Sequence, residues 1–80
     1  MTREEINSRV KKVIAEVLEK NESDIGDDAN FLTDLGASSI QSIRLVAGFE
    51  EEFDIEMDED AALSIKTVGK AVEFIQNLLK

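Results

Sequence analysis

Asp34-Leu35-Gly36-Ala37-Ser38-Ser39-Ile40 is the stretch in which a long polar segment gives way to an amphipathic helix. Ser38 stands three residues before Gln41, the S-x-x-Q spacing of a capping box, so Ser38 is the expected N-cap and Ser39 the first helical residue. Ile40, Ile43, Val46 and Ala47 follow at helical spacing and the pattern reaches Glu50 and Phe53, with Phe49 beside it. These residues are the expected core-facing stripe. Gly48 inside the helix costs about 1 kcal/mol relative to Ala, which points to a close approach by another helix. A helix N-terminus presents unpaired N–H groups and about half a positive charge, and so stabilises an anion such as a phosphodiester. Gly36 permits a tight turn just before it. With Ser38 as the cap, the Ser39 hydroxyl is left pointing outward, within reach of another enzyme. The plainer reading of the pair is a cap and its neighbour.

Working outward, Thr2 and Glu5 form a second capping-box pattern, and Ile6, Val10, Val13, Ile14, Val17 and Leu18 follow at helical spacing. Lys11, Lys12, Glu16 and Glu19 fall on the wet side, and this first helix is expected to stop near Lys20-Asn21. Residues 21–37 hold turn formers throughout, and loops of such length are usually functional. Ile25, Phe31, Leu32 and Leu35 are expected to pin that loop across the core. Residues 54–66 suggest a turn with a short helix around Glu59–Leu63 after Asp58. A last helix runs from Thr67, as N-cap, to Leu79, burying Val68, Ala71, Val72, Ile75, Leu78 and Leu79. The expected fold is all-α: a small four-helix bundle of three longer helices and one short one, a single domain over residues 1–80.

Composition removes whole classes of mechanism. The chain has no His and no Cys, so a Ser-His-Asp triad, a His base, a thiolate nucleophile, a disulfide and Cys- or His-bound zinc are all excluded. Carboxylate pairs remain, but an open bundle of 80 residues can hardly desolvate them enough for acid–base catalysis. A non-enzyme is expected. The longest apolar run, Leu45-Val46-Ala47-Gly48-Phe49, falls far short of the roughly 20 residues that cross a bilayer. No signal or transit peptide is visible, and the cytoplasm is the expected compartment.

The net charge of −9 is unevenly spread. Residues 1–20 carry five Lys/Arg against four Glu, whereas residues 21–60 carry thirteen Asp/Glu against the single Arg44. Residues 61–80 carry three Lys against Glu73. The acidic middle repels nucleic acid and anionic membranes and steers the chain towards basic patches on partners. Glu50-Glu51-Glu52 lies near a helix C-terminus, where the dipole disfavours it, a hint of use by a partner.

Asp34-Leu35-Gly36-Ala37-Ser38-Ser39-Ile40 resembles the modification motif of acyl carrier proteins, commonly D-L-G-x-D-S-L. The similarity continues through Glu50-Glu51-Glu52-Phe53-Asp54-Ile55 and Ile65-Lys66-Thr67-Val68, covering nearly all 80 residues. The resemblance implies that Ser39 is esterified by a 4′-phosphopantetheine arm donated by coenzyme A through a phosphopantetheinyl transferase. The arm's thiol would carry acyl groups as thioesters, for fatty acid or related lipid or polyketide biosynthesis. It further implies a monomer that docks on the basic patches of acyl-transferring and synthase enzymes, with Gln41, Arg44, Glu50 and Glu51 on the docking face. An acyl chain could slip between the helices, lined by Phe31, Val46, Phe49, Leu63, Ile65 and Ala71; the same six residues also suit ordinary core packing.

This chain departs from the family pattern at several positions. Ser38 stands where the family usually has Asp, Gln41 and Arg44 occupy positions often acidic in fatty-acid carriers, and Asp58 replaces a frequent proline. These departures bear on which transferase and synthase recognise it, and Ser38 is the rival attachment point. A peptidyl or aminoacyl carrier is one alternative, although such carriers often have a second Gly where this chain has Ala37. An unmodified acidic interaction module is another. A calcium-binding hand starting at Asp54 fails on spacing, with Glu59 where Gly is needed and Ile65 where Glu is needed.

Overall fold

Every α-helix begins where a side-chain oxygen meets an otherwise unpaired amide. Thr2 Oγ1 accepts from Glu5 N at 3.2 Å, Ser38 Oγ from Gln41 N at 3.2 Å, Asp58 Oδ1 from Asp60 N at 3.0 Å, and Thr67 Oγ1 from Lys70 N at 3.3 Å. The computed structural model describes residues 1–79 and contains α1 (Arg3–Leu18), α2 (Ser39–Phe53), α3 (Glu59–Leu63) and α4 (Val68–Leu78). A one-turn 3₁₀ helix spans Glu22–Asp24. The expected all-α bundle of three longer helices and one short one is therefore present; Thr2, Ser38 and Thr67 are the N-caps expected from sequence, and Asp58, expected just ahead of α3, caps it. The single-domain expectation reaches Lys80, which lies outside the described residues.

The two capping-box patterns behave differently. At Ser38 the box is complete, with Gln41 Oε1 accepting from Ser38 N at 3.0 Å. At Thr2 only the first half forms; the Glu5 carboxylate instead accepts the Thr2 hydroxyl at 3.3 Å. α1 stops at Leu18, two residues before the expected end, because Glu19 adopts a left-handed conformation (φ 56°) and returns its N–H to Ala15 O.

α1 packs against both α2 and α4, while α3 closes one side of α2. Ile6, Val10, Ile14, Val68, Val72 and Ile75 are the most deeply buried large side chains, so the centre of the core lies between α1 and α4. Gly48 sets the α1–α2 distance: a Cβ there would lie 2.8 Å from Val13 Cγ1 and 3.7 Å from Val17 Cγ2. Close approach was the expectation from sequence, and it is what the packing shows.

The buried face of α2 differs from the expected stripe. Leu45, Phe49 and Phe53 are buried, whereas Ile40 is 66% and Ile43 50% exposed, and Ala47 also faces outward. Two apolar stripes compete on this helix, and the larger side chains at i, i+4 and i+8 take the core. Val46 and Glu50 are half-buried at the boundary. Leu32 (69% exposed) does not help pin the loop; Ile25, Phe31 and Leu35 do. Leu78 and Leu79, expected in the buried stripe, remain substantially exposed at the end of α4, while Phe74 packs against the core instead. Among the described residues, no helix is long and apolar enough to cross a membrane.

Candidate functional site

The loop ahead of α2 is held by its own backbone and two side chains. Asn30 Oδ1 accepts the amides of Leu32 at 2.9 Å and Thr33 at 3.0 Å, and Asp34 Oδ2 accepts Asn30 N at 2.8 Å. The Asn30 carbonyl accepts from both Asp34 N and Leu35 N at 3.0 Å, and Phe31 O accepts Ala37 N at 2.8 Å. An isolated antiparallel bridge ties Asn30 to Thr67: Phe31 N donates to Lys66 O at 2.9 Å, and Val68 N to Ala29 O at 3.0 Å. Gly36 then turns the chain with φ 66°, the left-handed region that favours glycine. Buried Leu35 and Ala37 anchor the two sides of that turn. The motif's Asp34 thus serves the loop and not the serine pair.

Ser38 and Ser39 are both exposed, but they are differently engaged. The Ser38 hydroxyl is occupied as the cap of α2, while Ser39 occupies the first helical position. Ser42 N donates to Ser38 O at 2.9 Å, and Gln41 N is taken by Ser38 Oγ. The amides of Ser39 and Ile40 are left without an acceptor among the described residues. An exposed alcohol, two open N–H groups and the positive end of a 15-residue helix therefore lie together. These features fit a phosphodiester attached at this place: its negative oxygens would meet donors and a favourable dipole.

Ser39 stands on the wall of an open groove of about 420 Å³ whose other walls include Phe31, Leu32, Thr33, Ser42, Ile43, Leu63, Ile65 and Lys66. Behind it, between α2, α3 and α4, lies a cavity of about 50 Å³. All six residues named from sequence as a lining, Phe31, Val46, Phe49, Leu63, Ile65 and Ala71, border this cavity, together with Ser42, Leu45, Met57 and Ala62. Phe31, Ser42, Leu63 and Ile65 wall both spaces. A cavity of about 150 Å³ is what admits a ligand the size of benzene, so the inner space would have to widen to take an acyl chain.

The four residues named as a docking face do not form one charged surface. Arg44 and Glu51 are exposed, Gln41 is half-buried and engaged with Ser38 N, and the Glu50 carboxylate accepts Met57 N at 3.0 Å. Glu52 reaches back to α1, 3.7 Å from both Arg9 and Lys12. Sequence reasoning missed Ser42, a polar residue at the shared wall, and read Asn30 only as one turn former among several, not as the residue that organises the loop. The Asn spacing to amides two and three residues on was a readable turn signal; Ser42 offered none, since its importance depends on where α3 packs.

The fold and the open N-terminal end of α2 define a small helical domain suited to bearing an attached anionic group. Residues 8–75 match the family described as "Phosphopantetheine attachment site". Proteins named "Acyl carrier protein" are similar along most of their length: that of Phenylobacterium zucineum is 47% identical over 75 residues, covering 94% of this chain and 95% of its own. That of Buchnera aphidicola is 46% identical over 72 residues (90% of each chain), and that of Caulobacter vibrioides 48% over 71 residues (89% of this chain and 91% of its own). The chain belongs to the acyl carrier protein family, whose members carry acyl groups on phosphopantetheine.

Proposed function

We propose that Ser39 is the residue of this carrier to which the 4′-phosphopantetheine arm is attached, and that Ser38 only caps the helix. The observation that carries this reading is the division of labour between the two hydroxyls: Ser38 Oγ is held by Gln41 N, and Ser39 Oγ is exposed at the first turn. In the transfer, Ser39 Oγ forms the bond to the phosphate of the pantetheine half of coenzyme A. Adenosine bisphosphate leaves with the electrons of the broken pyrophosphate bond, and the hydroxyl proton passes to the transferase. The attached thiol supplies the acyl-bearing sulfur that a chain without Cys lacks. The open amides of Ser39 and Ile40 and the α2 dipole stabilise the phosphodiester.

The groove beside Ser39 gives the arm a path over Ile43 and Leu63, and Phe31, Ser42, Leu63 and Ile65 separate it from the inner cavity. A small bundle held by one short helix on that side can open there to shelter an acyl chain. The exposed face of α2 is the surface on which the transferase and acyl-handling enzymes dock. The kinship to proteins named acyl carriers supports acyl over peptidyl cargo.

Incubation with coenzyme A, magnesium and a broad-specificity phosphopantetheinyl transferase is expected to add one phosphopantetheine, read by intact-mass spectrometry. Ser39→Ala abolishes the addition and Ser38→Ala retains it. Loading of the Ser39→Ala protein would sink the assignment.

A further inference from the structure

We infer that the enzyme surface receiving α2 carries a carboxylate opposite Arg44, set between an apolar socket for Ile40 and Ile43 and a cation opposite Glu51. This rests on the carrier reading, in which partners approach the helix that begins at Ser39. Ile40, Ile43, Arg44, Ala47 and Glu51 are spaced i, i+3, i+4, i+7 and i+11, so they share one face, and all five are exposed. The neighbouring groups are already employed inside the fold: Gln41 in the capping box, Glu50 on Met57 N, and Glu52 beside Arg9 and Lys12. The charges left on the face are one cation and one anion.

Arg44 has no carboxylate at the spacings where a helix could supply one, since positions three and four residues away hold Gln41, Ala47, Ile40 and Gly48. It makes no ion pair among the described residues. The other two arginines do have partners: Arg9 lies 3.7 Å from Glu52, and Arg3 Nη1 donates to Gln76 Oε1 at 3.2 Å. Around Arg44 the segment 21–60 holds thirteen acids, which draw the chain towards positive surfaces. A uniformly basic surface would set a cation against the middle of the α2 face, and like charges in a contact are strongly disfavoured. A carboxylate there accepts the guanidinium fork with two parallel bonds and removes the repulsion. The partner's pattern is thus fixed in spacing as well as sign. Arg44 lies five residues, about 7.5 Å, along the axis from Ser39, and Glu51 about 10.5 Å further. Arg44 then selects among carrier-binding enzymes, admitting those with an acid inside a basic patch.

The test follows phosphopantetheine transfer from coenzyme A to the full chain, with the wild type, Arg44→Gln and Arg44→Glu. Each is assayed with the transferase from the chain's own source and with a broad-specificity transferase whose carrier-binding surface is uniformly basic. With the source enzyme, Arg44→Glu raises KM for the chain about tenfold and Arg44→Gln about threefold, while kcat holds. Changing the facing carboxylate of that enzyme to Lys restores Arg44→Glu. With the uniformly basic enzyme, Arg44→Glu lowers KM. Circular dichroism of the exposed-site variants verifies that α2 is intact. An unchanged or lowered KM for Arg44→Glu with the source enzyme, alongside normal wild-type loading, overturns this inference and leaves the carrier reading standing. Failure of the wild type to load with either enzyme removes both.

Discussion

Asn30 organises the loop as Ser38 organises α2, by offering an oxygen to amides that would otherwise be open. Its Oδ1 holds Leu32 N and Thr33 N, and its backbone N–H is held in turn by Asp34. Replacing it with Ala leaves water to satisfy those amides, so Asn30→Ala is expected to lower stability by about 1 kcal/mol in urea unfolding. Gly36→Ala acts by another route: nothing lies within 4 Å of its absent Cβ, and only the positive φ resists, again at about 1 kcal/mol. Both substitutions release the approach to Ser39, so transferase loading should slow in both while Ser39 itself is untouched. A loading rate equal to wild type in both variants would show that the rigid loop is dispensable for modification. At this scale the motif was legible, because Gly36, Ser38 and Ser39 each have a local backbone reason for their place. The role of Asp34, as acceptor for Asn30 N, was not, since it needs the loop's curvature to bring the two together.

Among the elements, α2 shows where periodicity misleads. Its sequence offers two apolar stripes about half a turn apart, and spacing alone cannot decide which is buried. Leu45, Phe49 and Phe53 reach the core, and Ile40, Ile43 and Ala47 are left beside Ser39 as an exposed surface. The short α3 and the N-caps of α1, α2 and α4 were readable because an N-cap is a local event. Gly48 was readable too, and its consequence can be measured. Gly48→Ala would gain about 1 kcal/mol in helix propensity, yet its Cβ would meet Val13 Cγ1 at 2.8 Å. Val13 is buried and β-branched, so its methyl cannot swing aside without leaving its rotamer. Overpacking costs about 1–3 kcal/mol, and the net effect expected is a loss of about 1 kcal/mol. In a Val13→Ala background the obstruction is gone and Gly48→Ala becomes neutral or stabilising, a coupling of about 1–2 kcal/mol in a double-mutant cycle. Simple additivity of the two changes would show that the α1–α2 distance is not set by this contact.

Across the whole molecule, the acidic middle is tied to the basic first helix at two places. Glu52 of α2 faces Arg9 and Lys12, and Asp27 in the long loop lies 2.6 Å from Lys11 Nζ while accepting Asn7 Nδ2 at 3.2 Å. On its other side the Asp27 carbonyl abuts α4, 3.3 Å from where a Gly69 Cβ would be, so the loop is clamped between α1 and α4. The hydrogen bond from Lys11 first, then that from Asn7 and the Lys11 charge, hold the Asp27 carboxyl below its ordinary value of 3.8. The stabilisation from a depressed folded-state pKa is fully present above that ordinary value and is lost as pH falls through the lower folded one. The rest of the charge works in the opposite direction: with a net −9, protonating carboxylates relieves self-repulsion and favours the compact state. A melt of the wild type alone mixes the two effects, so the informative quantity is the difference from Asp27→Asn, which keeps the shape but does not titrate. That difference in melting temperature should favour the wild type and stay level from pH 7 to about pH 5, then shrink below 3.8 as Asp27 is protonated in both states. The exposed position keeps the effect small, and added salt should shrink it further. A difference that persists unchanged into strong acid would mean that Asp27 acts through loop packing and not through its charge on Lys11.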